Sequence, residues 1–103
     1  MKFRKKARGK KAREIDAVQW DGTLSGWRKI VRIFPKMRTT SIKFNEVQNV
    51  ARGIRIDTDE GSYHVSVCDY IVRGVKGEHY PCKPYIFEAT YEKAEDAPKN
   101  IKE

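Results

Sequence analysis

The chain has 103 residues, with 22 Lys or Arg against 14 Asp or Glu, and a formal net charge of +8. This length predicts one domain with a small core, and no apolar run reaches the roughly 20 residues that a transmembrane helix needs. Because the start of the chain also lacks the apolar segment of a secretory signal, we expect a cytoplasmic protein with no membrane partner.

The positive charge is concentrated at the N-terminus. Residues 1–13 carry eight basic side chains and no acidic one, so they account for the whole net charge. A block of like charges with little to bury predicts a disordered arm or, at most, a frayed extension of the first strand. Such an arm is either a solubilising tail or a surface for nucleic-acid phosphates. The candidate phosphate-binding residues are Arg4, Lys5, Lys6, Arg8, Lys10, Lys11 and Arg13.

The segment after the arm predicts a strand followed by a helix. Residues 15–20 form the predicted strand, which ends at a turn made by Asp21 and Gly22. Apolar residues then recur at helical spacing, with Thr23 or Ser25 as a candidate N-cap and Pro35 at the end. The predicted apolar face comprises Leu24, Trp27, Ile30, Val31 and Phe34, and the opposite, basic face comprises Arg28, Lys29 and Arg32.

The middle of the chain gives weaker signals. Residues 36–40 are predicted to be a polar connection, residues 41–44 a weak strand, and residues 45–51 a loop or a helical turn. Residues 53–58 and 62–67 alternate apolar and polar side chains, and residues 59–61 are predicted to join them as a hairpin loop.

The last third of the chain predicts a second hairpin and a final strand. If Val75 and Lys76 form the loop, Arg73 lies opposite Glu78 and Ile71 opposite Tyr80. Proline lacks an N–H donor, so residues 81 and 84 should end the ladder, with a tight corner at 83–86. Residues 87–92 alternate apolar and polar side chains, which predicts a half-buried strand.

These elements together predict an α+β domain over residues 14–94. We expect a mostly antiparallel sheet of five to six strands packed against one helix. The basic arm, residues 1–13, precedes this domain, and a charged tail, residues 95–103, follows it.

Two segments, EIDAVQWDG and DYIVRGVKGEHYPCKPYIFEATYE, resemble a family of small proteins encoded by tailed bacteriophages and prophages. Members of that family typically open with a basic segment and end with a similar Gly-Val-x-Gly-Glu-x-Tyr-Pro-Cys-Lys-Pro run. The chain departs from the family pattern at Cys68 and Tyr85, where Gly and Asp are usual, and it carries the insertion ARGKKAR. The resemblance implies a phage accessory protein in the host cytoplasm, without a specific chemistry.

Neither a metal site nor a catalytic site is predicted. His64, Cys68, His79 and Cys82 have the residue types of a structural zinc site, but strand geometry separates the first pair and points the second pair to opposite faces. Cys82 and His79 are close in sequence, yet no third group supports a nucleophile. The two cysteines are expected to stay reduced thiols. The sequence therefore favours a binding protein without a cofactor over an enzyme.

Three functions remain as hypotheses. The first is binding to a host protein, for example a defence or transcription component, through an aromatic surface on the final hairpin. The residues of that predicted surface are Tyr70, Arg73, Lys76, His79, Tyr80 and Tyr85. The second function is nucleic-acid binding through the basic arm. The third is sequestration of small anionic nucleotides, which would need an oligomeric pocket.

Overall fold

The structure, a computed structural model, describes residues 1–40 and 43–94, with the backbone alone for residues 9–11. The predicted tail, residues 95–103, and the first half of the weak strand at 41–44 lie outside the described residues. The elements are β1 (Lys2–Lys5), a 3-10 helix (Lys6–Lys11), β2 (Ile15–Gln19), α1 (Leu24–Ile33), β3 (Thr39–Thr40), β4 (Lys43–Asn45), β5 (Val50–Arg52), β6 (Arg55–Thr58), β7 (Gly61–His64), β8 (Tyr70–Arg73), β9 (His79–Cys82), α2 (Pro84–Thr90) and β10 (Tyr91–Lys93).

The strands form three antiparallel sheets. The largest sheet has five strands in the order β10-β1-β2-β8-β9, the second has the order β3-β6-β7, and the third pairs β4 with β5. The predicted α+β class is therefore confirmed. The five-stranded sheet has the predicted size, but the prediction of one sheet and one α-helix is wrong, because the described residues contain ten strands in three sheets and a second α-helix.

The basic arm is not the disordered segment that its charge predicts. Strand β1 lies inside the largest sheet, where Phe3 pairs with Ile15 of β2 on one side and with Lys93 of β10 on the other. The Phe3 side chain is buried, so this single apolar residue anchors an otherwise charged strand. Ladder pairing with β2 at residues 2–3 and with β10 at residues 3–5 then fixes the backbone of β1. The sheet thus begins 13 residues before the predicted first strand at Ile15.

The first predicted strand and helix are confirmed. Strand β2 ends at Gln19, and the hydroxyl of Thr23 accepts a hydrogen bond from the Gly26 N–H at 2.9 Å, which caps the first turn of α1. The apolar face of α1 packs into the larger hydrophobic core, where Trp27 meets Trp20 edge to face at a ring-centroid distance of 5.8 Å. The buried stripe therefore holds α1 in place, as its helical spacing predicts.

The middle segment matches the prediction in part, because residues 36–38 are a connection and the loop alternative for residues 45–51 corresponds to a turn between two short strands. Residues 39–40 are strand β3, and residues 46–49 are the turn between β4 and β5. The hairpin predicted around residues 59–61 is present as β6 and β7, with Ile56 opposite Tyr63. The predicted strands at 53–58 and 62–67 are shorter in the structure, because β6 begins at Arg55 and β7 ends at His64.

The final hairpin has a register one residue away from the predicted one. Arg73 pairs with His79 rather than Glu78, and Tyr80 pairs with Val72 rather than Ile71. The physical reason is Gly77, whose positive φ of 86° adds a left-handed residue after the turn and lengthens the loop. Two backbone hydrogen bonds close this loop. The Gly77 N–H donates to the carbonyl of Gly74 at 3.0 Å, and the Gly74 N–H donates to the carbonyl of Glu78 at 2.8 Å.

Pro81 does not end the ladder, and the corner predicted at 83–86 is a helix start, although the ladder does end before Pro84. Pro81 lies within β9 opposite Ile71, and it is tolerated because β9 is an edge strand that needs no further donor on its outer side. Pro84 occupies the first turn of α2, where a fixed φ favours a helix start. The predicted strand at 87–92 is therefore a helix through Thr90, and the strand begins at Tyr91.

Candidate nucleic-acid interface

A basic cleft lies where the end of β1, the 3-10 helix and the β8–β9 hairpin meet. Its volume is about 420 Å³. The charged and aromatic side chains that line it are Lys5, Arg8, Arg13, Glu78, Tyr80 and Tyr91. We refer to these six residues as the basic cleft. Three cations against one carboxylate give its wall a net positive charge.

Three different elements supply the cations of the basic cleft. Lys5 is the last residue of β1, Arg8 lies in the 3-10 helix, and Arg13 is in the connection to β2. Two other basic side chains of the same segment have partners: Lys2 pairs with Asp16 at 3.2 Å and Arg4 pairs with Glu92 at 2.9 Å. Among the described residues, none of the three cleft cations forms such an ion pair. Their charge is available to an anion.

Asp16 helps to fix β1, the strand that ends at Lys5. Its carboxylate accepts hydrogen bonds from Lys2 on β1 and from Arg73 on β8, so it joins three neighbouring strands. Burial would raise the pKa of Asp16, but the two cationic donors outweigh it and hold the pKa below its usual value. Asp16 therefore stays ionised and helps to keep β1 against β2.

Two tyrosines form the aromatic wall of the basic cleft. Tyr80 projects from β9, and Tyr91 begins β10. The ring of Tyr91 stacks on Phe87 with centroids 4.8 Å apart and planes 21° apart, which fixes its orientation. Burial, the neighbouring Tyr91 hydroxyl and the Glu78 carboxylate raise the pKa of Tyr80 well above its usual value. The Tyr80 hydroxyl is therefore a neutral hydrogen-bond donor at physiological pH.

Glu78 is held by the backbone of the hairpin loop. Its carboxylate accepts a hydrogen bond from the Lys76 N–H at 3.0 Å. It also lies over Gly74, where an added Cβ would come within 2.5 Å of Glu78 Oε2. The glycine thus leaves the space in which this carboxylate rests. The one negative charge of the basic cleft sits on the hairpin side of it.

The predicted phosphate-binding residues divide into three groups. Lys5, Arg8 and Arg13 line the basic cleft, and Lys6 is exposed beside it at the start of the 3-10 helix. Arg4 is half-buried in its ion pair with Glu92. Lys10 and Lys11 belong to the same 3-10 helix, for which the structure describes their backbone alone.

The structure disperses the predicted protein-binding residues. Tyr70 stacks on Phe87 at a centroid distance of 4.0 Å and donates its hydroxyl hydrogen to Glu88, and Arg73 pairs with Asp16. Tyr80 lies between two clefts, because it lines both the basic cleft and a second cleft.

The remaining three residues of that set lie in other places. Lys76 and His79 line, together with Tyr80, this second cleft of about 620 Å³, which also contains the Asp59 and Glu60 side chains. Tyr85 is 72% exposed on α2. The six residues therefore do not form one aromatic surface.

The histidine and cysteine nearest the hairpin show no sign of an activated nucleophile. Burial and the adjacent Arg73 lower the pKa of His79, whose ring packs edge to face against Phe34 at 5.4 Å. Burial and the Asp69 carboxylate raise the pKa of the Cys82 thiol. Both cysteines are free thiols, and within residues 1–40 and 43–94 no three His, Cys, Asp or Glu side chains are grouped to hold a metal ion.

Sequence reasoning missed the cleft roles of Tyr91 and Glu78. The sequence places Tyr91 within a half-buried strand over residues 87–92 and Glu78 opposite Arg73. Their positions depend on the pairing of β1 with β10, which joins Lys5 to Tyr91, and on the extra loop residue Gly77. The first is a contact between the two ends of the fold, for which local periodicity carries no signal. The longer hairpin loop does have a local signal, because glycine is the residue that most readily adopts a positive φ.

Comparisons with known proteins do not extend this description. No protein-family model, no curated protein and no solved structure matches the chain. Of the helices in the described part of the chain, none combines the length and the apolar character needed to cross a bilayer.

Proposed function

We propose that this protein is a non-catalytic, phage-encoded accessory protein that binds the phosphate backbone of nucleic acid at the basic cleft and the adjoining 3-10 helix. The resemblance of two segments to small phage proteins supports the proposed origin. The observation that carries the binding function is that Lys5, Arg8 and Arg13 converge on one concave surface with no carboxylate partner among the described residues.

The physical basis of this binding is counterion release. Lys and Arg side chains that contact phosphates displace the cations condensed on the nucleic acid, and this release supplies affinity without base recognition. Lys6 adds a fourth exposed charge next to the three in the basic cleft. Four phosphate contacts predict a slope of about −3 to −4 in a plot of log affinity against log salt concentration.

Substitution of the cleft cations tests the proposal. We compare the triple variant Lys5→Ala, Arg8→Ala, Arg13→Ala with the control variant Lys29→Ala, Arg32→Ala, Lys36→Ala. Both remove three positive charges, but the control residues are exposed on or after α1 and none of them lines the basic cleft. The measurement is the fluorescence anisotropy of a labelled oligonucleotide at several salt concentrations.

The two variants should differ in both affinity and salt dependence. We expect the cleft variant to lose at least about tenfold in affinity and to flatten the slope by about 2 to 3, because its phosphate contacts are gone. The control should change affinity by less than about threefold, through net charge alone. Equal losses in both variants, or no binding by the unaltered protein, would refute the proposed function.

Binding to a host protein remains a second candidate, and one observation favours it. Tyr85 and Ile86 are neighbouring side chains on α2 that are 72% and 48% exposed. Exposed aromatic side chains are common anchors of protein interfaces. This candidate predicts that a partner captured from nuclease-treated host lysate is lost with the variant Tyr85→Ala, Ile86→Ala and kept with the cleft variant. The opposite pattern would contradict it.

A further inference from the structure

The basic cleft combines two kinds of surface that phosphate binding alone does not require. Its cations line one part of the wall, and Tyr80 and Tyr91 line another. Its volume of about 420 Å³ lies within the range of roughly 300–1,000 Å³ that is typical of small-ligand sites. A surface that only tracks a phosphate backbone needs neither aromatic rings nor a concavity of this size.

We propose that the basic cleft takes an unpaired nucleotide of a single strand, with its phosphate against the cations and its base against the two tyrosines. This inference rests on the proposed function and names the form of nucleic acid that the site prefers. Stacking of bases on aromatic side chains is the usual way in which proteins hold single strands without reading their sequence.

The charges on the wall orient the nucleotide. Glu78 repels phosphate from the hairpin side of the basic cleft, while Lys5, Arg8 and Arg13 attract it on the other side. Both tyrosines belong to an apolar surface, because Tyr91 is stacked on Phe87 and Tyr80 is packed against the same hydrophobic cluster. A base buried there loses few hydrogen bonds to water. The base is therefore expected on the aromatic wall and the phosphate at the cations.

A duplex does not satisfy this arrangement. Its bases are stacked and paired inside the helix, so they reach a protein cleft only after they are extruded, which costs free energy. A single strand offers its bases without that cost, and its phosphates contact the same cations. The arrangement thus predicts a preference for single-stranded DNA or RNA over duplex of the same sequence, and over a polyanion that has no bases.

A competition experiment on the full chain tests this prediction. Labelled single-stranded DNA is displaced by unlabelled single-stranded DNA, single-stranded RNA, duplex DNA or polyphosphate, each at equal phosphate concentration. We expect either single strand to compete about tenfold more strongly than duplex or polyphosphate, which is the effect of stacking one base. Equal competition by all four would overturn the single-strand inference. The proposed function would still stand if the variant without the three cleft cations bound nucleic acid more weakly than its control.

Tyrosine substitutions test whether the preference for a single strand comes from the aromatic wall of the basic cleft. The variant Tyr80→Leu should lose about fivefold to tenfold in affinity for the single strand and keep the salt slope, because no phosphate contact is removed. Tyr85→Leu is the matched control, since that tyrosine is exposed on α2 outside the basic cleft. Unchanged affinity in folded Tyr80→Leu protein, as shown by thermal unfolding, would overturn the inference.

A measurement on the unaltered protein covers the case in which the tyrosine variant does not fold. A single strand containing 5-iodouracil is cross-linked by ultraviolet light, and the attached residue is identified by mass spectrometry. We expect attachment at Tyr80 or Tyr91. Attachment confined to residues outside the basic cleft would overturn the inference, and the absence of any binding would refute the proposed function as well.

Discussion

At the scale of single residues, Asp16 links the charge of the N-terminal segment to the stability of the fold. Its carboxylate lies between Lys2 and Arg73, directly opposite both in the ladders of β1 and β8. The Asp16 side chain is 17% exposed, whereas its two partners are about half exposed. Solvent therefore screens part of the attraction, and we assign about 1 kcal/mol to the three-strand contact.

The first prediction concerns Asp16→Asn and its dependence on pH. The pKa of Asp16 is lower in the folded chain than its usual value, so ionised Asp16 favours folding above the unfolded pKa of about 4 and that contribution is lost as pH falls through the folded pKa. We expect the variant to lower the free energy of unfolding by about 1 kcal/mol at pH 7 and to weaken the decline in acid. Urea titrations between pH 2 and pH 7 measure both effects.

Asp59→Asn is the control for that experiment. Asp59 also has a basic partner, Arg38 at 3.1 Å, but its own side chain is 100% exposed. We expect no measurable change in the free energy of unfolding, because solvent screens the charge of a fully exposed carboxylate. If the two variants lower stability equally, the position of Asp16 between three strands has no special role.

At the scale of elements, local signals were sufficient for α1 and misleading for α2. The stripe of apolar residues, the capping hydroxyl of Thr23 and the terminal Pro35 all predict α1 correctly. In α2, alternation of Phe87, Ala89 and Tyr91 predicts a strand. Phe87 and Tyr91 are also four residues apart, a spacing that a helix ending at Thr90 satisfies as well, and their rings stack on each other. Pro84 decides between the two, because its fixed φ favours the first turn of a helix.

The second prediction tests how α2 is held. Phe87 is 1% exposed and contacts the rings of Phe3, Tyr70 and Tyr91 at centroid distances of 4.9, 4.0 and 4.8 Å. We expect Phe87→Ala to lower the free energy of unfolding by about 3–5 kcal/mol, because it removes the centre of this aromatic cluster. Chemical denaturation followed by tryptophan fluorescence measures the loss.

Tyr85→Ala serves as the control on the same helix. Its side chain is 72% exposed, so we expect a change within about 0.5 kcal/mol. Comparable losses at residues 85 and 87 would contradict the observed orientation of α2. A small loss at both would show that the second cluster contributes little to stability.

At the scale of the whole molecule, composition predicts the class but not the assembly. The length and the alternation of apolar residues correctly indicate a small α+β protein, and the eight basic residues near the start correctly mark the cationic segment. The basic cleft could not be predicted, because it joins parts of the chain around residues 5–13, 74–80 and 91. Contacts between such distant segments follow from β1 pairing with β10, and no local pattern encodes that pairing.

The third prediction follows from the interior position of β1. Deletion of residues 1–5 removes a strand with partners on both sides and the buried ring of Phe3, whose loss alone costs about 3–5 kcal/mol. For a domain of this size, each kcal/mol corresponds to about 4–8 °C in Tm. We therefore expect Tm to fall by more than about 12 °C, or cooperative unfolding to be lost. Circular dichroism during heating measures both.

Substitution within the full chain separates charge from structure. Lys6→Ala with Arg8→Ala removes two cations whose side chains are exposed and leaves every strand of the sheet intact, so Tm should change by only a few degrees. If the shortened chain melted at the same temperature as the full chain, the basic segment would be a detachable arm after all. If the shortened chain is destabilised as expected, its loss of binding reflects unfolding. Only substitutions in the full chain, such as those in the basic cleft, then test which residues bind nucleic acid.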